Sequence, residues 1–250
     1  MEKSISKPQL EDCSTISVIV VIPTYNEVEN LSGLCNTLFS LPIDLEILVI
    51  DDNSPDGTGE LARELSIQED RFNVIHRSGK LGLGTAYTEG LTWALNNSKA
   101  DIIAQMDADF SHDPYALPLL IQVSTKGAIA VGSRYTAGGD LEGLGSWRRF
   151  LSAMANMYIR ALLGLSVRDA TGAFRCWPRR ALTGIDLSCI RSSGFAILPE
   201  MLVLASRQGF PITEVPIKFD ARRGGQSKLT VKILVEWFFD VWNIRLRNFL

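Results

Sequence analysis

"ISVIVVIP", residues 16–23, is a short run rich in β-branched residues that ends at Pro23, and it decides the fold of this chain. A continuous apolar run of this length is typical of a strand buried on both faces, as in a parallel sheet. The polar stretch "TYNE" at 24–27 follows directly, and apolar residues at helical spacing continue from Val28 to Leu38. A strand, a polar loop and an amphipathic helix in this order predict the first unit of an α/β fold.

The same alternation continues along the first half of the chain. Buried strands are predicted at "LEILVIDD" (45–52), "FNVIHR" (72–77) and "DIIAQMDAD" (101–109), with helices at "LARELS" (61–66) and "GTAYTEGLTWALNN" (84–97) between them. Because crossovers between parallel strands are right-handed, this order predicts a doubly wound α/β fold with a mainly parallel sheet flanked by helices.

The second half of the chain is less regular. It is predicted to contain a strand at "AIAVGSRY" (128–135), an amphipathic helix from Ser146, a short strand pair at "FPITEVPIKF" (210–219) and a terminal helix from Ser227. The domain organisation that we expect is a flexible leader (1–16), a single domain (17–228) with a nucleotide half (17–127) and an acceptor half (128–228), and an amphipathic membrane-interface helix (229–250).

Composition narrows the class of protein. The chain has 46% hydrophobic and 21% charged residues, which is typical of a globular protein, and its net charge of −3 gives no sign of a nucleic-acid partner. The four cysteines show no CxxC spacing, so neither a zinc site nor a disulfide framework is predicted. The first residues lack the apolar core of a secretory signal, and no stretch reaches the ~18 uncharged apolar residues of a transmembrane helix. We expect a protein that is soluble or meets membranes only at their surface.

Three acid-bearing loops follow strand ends, where the ligand crevice of such a sheet lies. In "MDADFSHDP" (106–114), Asp107 and Asp109 alternate around the small Ala108, which sends both carboxylates to one side. Two such charges repel each other unless a cation lies between them, and Mg²⁺ or Mn²⁺ prefers oxygen ligands shared with phosphates. The alternative is a solvated loop or a helix cap at Asp113. The other strand-end loops favour a site for a metal and a diphosphate.

The remaining strand-end residues are suited to a nucleoside. The carboxylates of Glu27 and Asp52 can accept hydrogen bonds from a base or a ribose, and Tyr25 can cover an aromatic face. In "RSGKLGLGTAY" (77–87), glycines allow close backbone approach and Lys80 offers charge to a phosphate. This loop lacks GxGxxG and Walker spacing, which disfavours a dinucleotide enzyme or a P-loop ATPase.

Two helices are more apolar than a soluble surface requires. The terminal helix has one narrow polar stripe and is otherwise dense in aliphatic and aromatic residues, which fits the bilayer interface or a partner's membrane helix. The helix from Trp147 is similar, with Arg148 and Arg149 suited to the headgroup level. For both helices the alternative is burial, against the protein's own core or, for the terminal helix, in a dimer.

Eight motifs occur together and in order between about residues 17 and 229. They are "IPTYNE", "IDDNSPDGT", "KLGLGTAY", "DADFSHDP", "VGSRY", "DATGAFR", "EVPIKF" and "GGQSKL". In combination they resemble the inverting family 2 glycosyltransferases, most closely the dolichol-phosphate (polyprenol-phosphate) mannosyltransferases. The resemblance implies a GT-A fold, Mg²⁺ or Mn²⁺, a nucleotide sugar such as GDP-mannose as donor, and polyprenyl or dolichyl phosphate as acceptor.

The resemblance also implies a location and a set of functional residues. The location is the cytoplasmic face of a membrane, the plasma membrane in a prokaryote or the endoplasmic reticulum in a eukaryote, with small membrane-anchoring subunits as candidate partners. The expected metal ligands are Asp107 and Asp109. The expected nucleotide-sugar contacts are Pro23, Tyr25, Glu27, Ile50, Asp52, Lys80, Asp107, Ala108, Asp109, Arg134, Arg222 and Lys228. The expected catalytic set is Asp107, Asp109, Arg134, Arg148, Arg222 and Lys228, and the expected acceptor-phosphate contacts are Arg148, Arg149 and Arg175.

The chemistry of a phosphate acceptor explains why arginines are expected at the site. A phosphate monoester has its second pKa near ~6, so it is already anionic at neutral pH and has little need of a general base. It does need cations to offset the repulsion between two phosphate groups.

The chain departs from the relatives at 171–175, at 194–201 and at Ser111, where some relatives have a glutamine metal ligand. The alternatives are a UDP-glucose donor with the same acceptor, a hydroxyl acceptor, or a non-catalytic nucleotide-binding subunit.

Overall fold

A computed structural model of the protein describes residues 16–141, 145–192, 194–219 and 231–249. Apart from Ile16, the predicted leader lies outside these ranges. Arg222 and Lys228 lie outside them as well.

Within the described residues, nine strands form two sheets. The strands are β1 (Ser17–Thr24), β2 (Asp44–Asp51), β3 (Phe72–His76), β4 (Ile102–Gln105), β5 (Ile129–Ser133), β6 (Asp140–Leu141), β7 (Arg175–Pro178), β8 (Ile212–Pro216) and β9 (Lys218–Phe219). The main sheet has the order β3-β2-β1-β4-β7-β5-β8, and β6 pairs in parallel with β9.

The helices lie between and beyond these strands. They are α1 (Val28–Phe39), α2 (Thr58–Gln68), α3 (Leu83–Asn97), α4 (Leu117–Thr125), α5 (Ser146–Leu163), α6 (Arg179–Thr183), α7 (Ile197–Arg207) and α8 (Val231–Phe249). Helices cover both faces of the sheet, so the predicted α/β class is confirmed, with the GT-A-like arrangement of a mainly parallel sheet flanked by helices.

Strand β1 shows why the apolar run forms a central strand. It pairs in parallel with β2 on one side and with β4 on the other. Ile19 and Val21 are buried in the core on one face of the sheet, whereas Val18 and Val20 are buried in the core on the opposite face. Because both faces are covered, no polar residue alternates with the apolar ones, as the sequence pattern predicts.

Strand β7 was not predicted from the sequence. It is antiparallel to both of its neighbours, β4 and β5, and so joins the strands of the first half of the chain to those of the second. The indole Nε1 of Trp177 donates a hydrogen bond of 2.7 Å to Oε1 of the buried Gln105. The two expected halves therefore share one continuous sheet.

Helices α5 and α8 pack against each other and remain partly exposed. The Tyr158 ring of α5 stacks on Phe238 of α8 with the ring centroids 4.8 Å apart. Val241 and Ile244 anchor α8 in the core, while Phe239 and Trp242 on the same helix are exposed. Across the part of the chain that the structure describes, no helix has both the length and the apolarity needed to cross a bilayer.

Candidate active site

The carboxyl ends of β1, β2 and β4 lie side by side, and each is followed by a sharp turn. Asn26, Asn53 and Phe110 occupy the left-handed region in these turns, with φ of 62°, 56° and 58°. Asparagine tolerates this conformation, but a phenylalanine adopts it at a cost of about 1–2 kcal/mol. The turns place the three acid-bearing loops at one edge of the sheet, where the crevice was predicted.

The loop after β4 carries Asp107 and Asp109. The Asp107 carboxylate accepts a hydrogen bond from the Tyr87 hydroxyl at 3.1 Å, and Asp109 Oδ1 accepts one from the backbone N–H of Ser111 at 3.0 Å. Burial, followed by the charge of Asp107, raises the pKa of Tyr87, so its hydroxyl stays protonated and donates. Both carboxylates are thus held by neighbouring donors.

His112 holds the backbone of the same loop. Its Nδ1 accepts a hydrogen bond from the backbone N–H of Asp107 at 3.2 Å. The ring stacks on Phe174 at 5.1 Å and meets the edge of Phe219 at 5.7 Å between centroids. Burial lowers the pKa of His112, which keeps the imidazole neutral and able to accept that bond. His112 therefore orients the loop through its main chain.

The donor set of this loop fits a hard divalent cation. Asp107 and Asp109 offer carboxylate oxygens, and the buried Ser111 hydroxyl has no hydrogen-bond partner among the described residues. The described part of the chain contains no cluster of three or more His, Cys, Asp or Glu residues arranged for a metal. Two carboxylates with open positions suit Mg²⁺ or Mn²⁺, which commonly share their ligands with substrate phosphates and water.

Asp52 lies at the end of β2 and is paired with Arg77, a residue that the sequence analysis did not single out. Both side chains are buried, and Arg77 Nη1 donates to Asp52 Oδ1. Asp52 Oδ2 accepts the backbone N–H of Gly82 at 2.8 Å, and Arg77 also bonds Thr85 at 2.8 Å and Glu89 at 3.0 Å. The pair fastens the glycine-rich loop to the end of β2. The sequence signal that could have identified Arg77 is an arginine at the end of the predicted strand "FNVIHR".

Two predicted nucleoside residues lie together beside this loop. The Lys80 ammonium is 3.8 Å from the centroid of the Tyr25 ring. Glu27 lies at the start of α1, where its carboxylate accepts a bond from Asn30 at 2.9 Å and its backbone N–H donates to Thr58 at 2.9 Å.

The other residues predicted to contact the nucleotide sugar are less open. Pro23 is half-buried near the end of β1, and Ala108 is buried between the two aspartates. The Ile50 side chain is fully buried in the core on the α3 side of the sheet, so it does not face the crevice.

Arg134 is joined to Asp169, a second partner that the sequence analysis did not identify. Nε and Nη2 of Arg134 donate to the two oxygens of Asp169, each at 2.7 Å, and Nη2 also donates to the Thr171 hydroxyl at 2.8 Å. Burial alone would raise the pKa of Asp169, but the bonds from Arg134 outweigh it and hold that pKa below its usual value. Arg134 is therefore fixed in one orientation, with a neutralising carboxylate on one edge.

Arg175 does not lie where an acceptor phosphate could contact it. Its side chain is fully buried and donates to the carbonyls of Gly172 at 2.9 Å, Leu198 at 2.6 Å and Ala170 at 2.8 Å. Burial lowers the pKa of Arg175 to about 9, so the group remains charged at neutral pH. The prediction of a phosphate contact is inconsistent with this burial, and the residue instead joins the 170–172 loop to the first turn of α7.

Arg148 and Arg149 lie at the start of α5 and are exposed. Arg149 donates to the carbonyl of Leu141 and lies 3.9 Å from Asp140. We call the exposed apolar residues of α5 and α8 the apolar face; they are Trp147, Phe150, Leu151, Met154, Met157, Phe238, Phe239, Trp242 and Leu246.

The sheet and its acid-bearing edge have the arrangement of a glycosyltransferase of the GT-A type. Residues 19–184 match the family described as Glycosyl transferase family 2, and the chain belongs to that family. It is 42% identical to polyprenol monophosphomannose synthase of Mycolicibacterium smegmatis, covering 94% of this chain and 91% of the relative. It is 36% identical to undecaprenyl-phosphate mannosyltransferase of Micrococcus luteus, covering 92% and 95%.

Solved structures share the fold at lower sequence identity. Mannosyl-3-phosphoglycerate synthase from Rubrobacter xylanophilus superposes with a TM-score of 0.66 at 16% identity, over 93% of this chain and 73% of that chain. Glucosyl-3-phosphoglycerate synthase from Mycobacterium tuberculosis, in complex with Mn²⁺, UDP and glucosyl-3-phosphoglycerate, gives a TM-score of 0.65 at 20% identity, over 96% and 82%.

Proposed function

We propose that this enzyme transfers mannose from GDP-mannose to polyprenyl or dolichyl phosphate with inversion, giving a polyprenyl-phosphate mannose. The observation that carries the proposal is the relatedness to two enzymes named for mannosyl transfer to such lipids, 42% and 36% identical over almost the whole chain. The product would serve as a lipid-linked sugar donor for glycosylation.

The donor would occupy the acid-bearing edge of the sheet. Tyr25, Glu27 and Asp52 would contact the nucleoside, since each carboxylate oxygen can accept more than one hydrogen bond. Lys80 would approach the phosphates, and Asp107 with Asp109 would hold a divalent cation. When bound, Mg²⁺ or Mn²⁺ would neutralise the charge that develops on the diphosphate leaving group.

The acceptor phosphate would approach from the side of α5. Arg148 is exposed at the start of that helix, beside the apolar face. Arg149, Arg222 and Lys228 would add positive charge, the last two from the segment outside the described residues. Because the acceptor is already anionic, no carboxylate of the chain needs to remove a proton from it.

The apolar face would lie on a membrane. Aromatic and methionine side chains there are exposed next to two arginines, as in helices that rest at the headgroup level. A protein anchored in this way would be peripheral, on the cytoplasmic side where nucleotide sugars are present, either alone or with small anchoring subunits. The prenyl chain could then stay in the bilayer while its phosphate reaches the crevice.

A donor panel tests the reaction. Purified protein with Mn²⁺ is given GDP-mannose, UDP-glucose or UDP-N-acetylglucosamine, each with and without polyprenyl phosphate in vesicles. We expect lipid-linked sugar only from GDP-mannose with the lipid phosphate, and a β-linkage when the one-bond C1–H1 coupling of the product is measured by NMR. If UDP-glucose were the only donor to give a lipid product, the proposed donor would be wrong. If sugar were transferred without lipid phosphate, the proposed acceptor would be wrong. Nucleotide binding without turnover on any donor would indicate a binding subunit.

Arg148 tests the acceptor side. Arg148→Ala should raise the KM for polyprenyl phosphate by about tenfold, since a charged hydrogen bond is removed. Arg160→Ala is the matched control, because Arg160 is exposed on the last turn of the same helix. Equal kinetics of Arg148→Ala and the wild type would show that Arg148 does not contact the acceptor.

A further inference from the structure

Helix α5 is fastened to the protein by a polar side chain. Over the whole of α5, which the structure describes completely, the buried residues are Asn156, Ile159 and Leu163. The Asn156 side chain accepts a bond from the backbone N–H of Ala170 at 2.8 Å and donates to the Thr171 hydroxyl at 3.1 Å. Its amide also donates to the Ser152 carbonyl at 3.1 Å. A buried amide with both ends bound fixes a geometry that an apolar residue of equal size would not fix.

The Thr171 hydroxyl connects this amide to Arg134. It accepts from Asn156 and from Arg134 Nη2, the latter at 2.8 Å, and it lies 3.3 Å from Asp169 Oδ1, to which it donates. A hydroxyl has one donor and two acceptor positions, so its capacity is fully used. One oxygen atom therefore touches the helix that carries the apolar face and also the guanidinium at the site edge.

We propose that Asn156 and Thr171 are positioning residues that couple the placement of α5 to the orientation of Arg134. The proposal rests on the proposed function, in which α5 meets the lipid acceptor, and on the expected contact of Arg134 with the nucleotide sugar. The apolar face puts Met154 and Met157 on the outside of α5, two residues before and one after Asn156 in sequence. A shift of the helix on the membrane would move Asn156, and through Thr171 it would move the Nη2 edge of Arg134.

The chemistry of Thr171 allows a matched pair of variants. Thr171→Val keeps the shape of the side chain but removes the hydroxyl, whereas Thr171→Ser keeps the hydroxyl. We expect Thr171→Val to lower kcat/KM for polyprenyl phosphate about tenfold, the size of one lost hydrogen bond to a charged group. We expect Thr171→Ser to restore most of it. Affinity for GDP with Mn²⁺, measured by calorimetry, should change less than about threefold in both.

A purely structural role would give a different result. Ile159→Val trims the neighbouring buried side chain of α5 without touching the hydrogen-bond chain, and we expect it to lower the unfolding midpoint with little change in kcat/KM. If Ile159→Val and Thr171→Val reduced kcat/KM equally at equal loss of stability, the coupling would be refuted. Wild-type kinetics in Thr171→Val would refute it as well.

A second measurement needs no turnover. The Nε–H signal of Arg134, followed by NMR in protein with GDP and Mn²⁺, should shift or broaden in Thr171→Val and in Asn156→Asp, but not in Thr171→Ser or Ile159→Val. An unchanged signal in both affected variants would overturn the proposal even if the enzyme transfers sugar. If the wild type makes no lipid-linked sugar while the signal behaves as expected, the proposed function fails and the link between α5 and Arg134 stands.

Discussion

Replacing Arg77 by methionine should destabilise the protein strongly and loosen the edge that holds the nucleoside. Methionine keeps an unbranched apolar stem but removes the charge and every donor. The Arg77 side chain is 4% exposed and that of Asp52 is 8% exposed. The variant therefore leaves Asp52 as a buried carboxylate whose one remaining hydrogen-bond donor, among the described residues, is the Gly82 N–H.

The magnitude follows from this burial. Breaking a buried ion pair by removing one partner costs about 3–5 kcal/mol, because the remaining charge stays desolvated. Glu89 loses its bond to Arg77 but is half-exposed, so water can replace that bond and the pair adds little. The loss should therefore be about 3–5 kcal/mol, set mainly by Asp52. With Asp52→Asn added, part of it should return, because no buried charge is left.

Urea unfolding followed by tryptophan fluorescence measures the change. Arg71→Met is the matched control, since Arg71 pairs with Glu69 at side-chain exposures of 45% and 33% and should leave the midpoint unchanged. Affinity for GDP should fall in Arg77→Met, because the loop that carries Lys80 loses the bonds of Arg77 to Asp52 and Thr85 and is held to Asp52 only through the Gly82 N–H. A loss below about 1 kcal/mol, or a double variant no more stable than Arg77→Met, would show that the pair is not a buried unit.

Three further changes follow from the same structure. Asp109→Asn should lower Mn²⁺-stimulated turnover about 100-fold or more, and calorimetry should show weaker Mn²⁺ binding in the presence of GDP; unchanged metal binding would contradict the ligand assignment. Trp242→Ser should weaken binding to vesicles in a flotation assay, with Ile67→Ser, an exposed apolar residue on α2, as the control that retains binding. Asp169 has a lowered pKa, so its contribution to stability is present above pH ~4 and is lost as the pH falls through the folded value. Asp169→Asn should therefore lower the urea midpoint by more at pH 7 than at pH 3, and an equal loss at both would refute the reasoning.

The central strands could be predicted because their environment leaves a simple mark on the sequence. β1 and β2 are covered on both faces, which requires nearly continuous apolar runs. β7 carries no such mark. It has four residues, among them Arg175 and Pro178, and it forms a strand because β4 and β5 lie on either side of it. Its identity depends on tertiary contacts that a local pattern does not encode.

The candidate site divides in the same way. The positions of Asp107 and Asp109 follow from the rule that strand ends of a parallel sheet meet at one edge. The partners of Asp52 and Arg134 could not be predicted in this way, because they lie far away in the sequence. Arg77 is 25 residues from Asp52, and Asp169 is 35 residues from Arg134. Arg175 was predicted at a phosphate because arginines favour such groups, but it belongs to β7, an inner strand of the sheet whose residues are all buried.

The pairing of Arg134 changes the charge balance expected at the transfer site. Asp169 lies within hydrogen-bond distance of Arg134 and carries the opposite charge. At distances longer than the separation of the two charges, the pair therefore acts as a neutral unit. Arg134 can then direct a phosphate through its remaining N–H groups but contributes little net attraction. The attraction needed to bring a lipid phosphate beside a diphosphate must come from cations not paired in this way. Lys80 and Arg148 are exposed, and Arg222 and Lys228, outside the described residues, are further candidates. On this argument the exposed cations attract the phosphates, and Arg134 fixes where they bind.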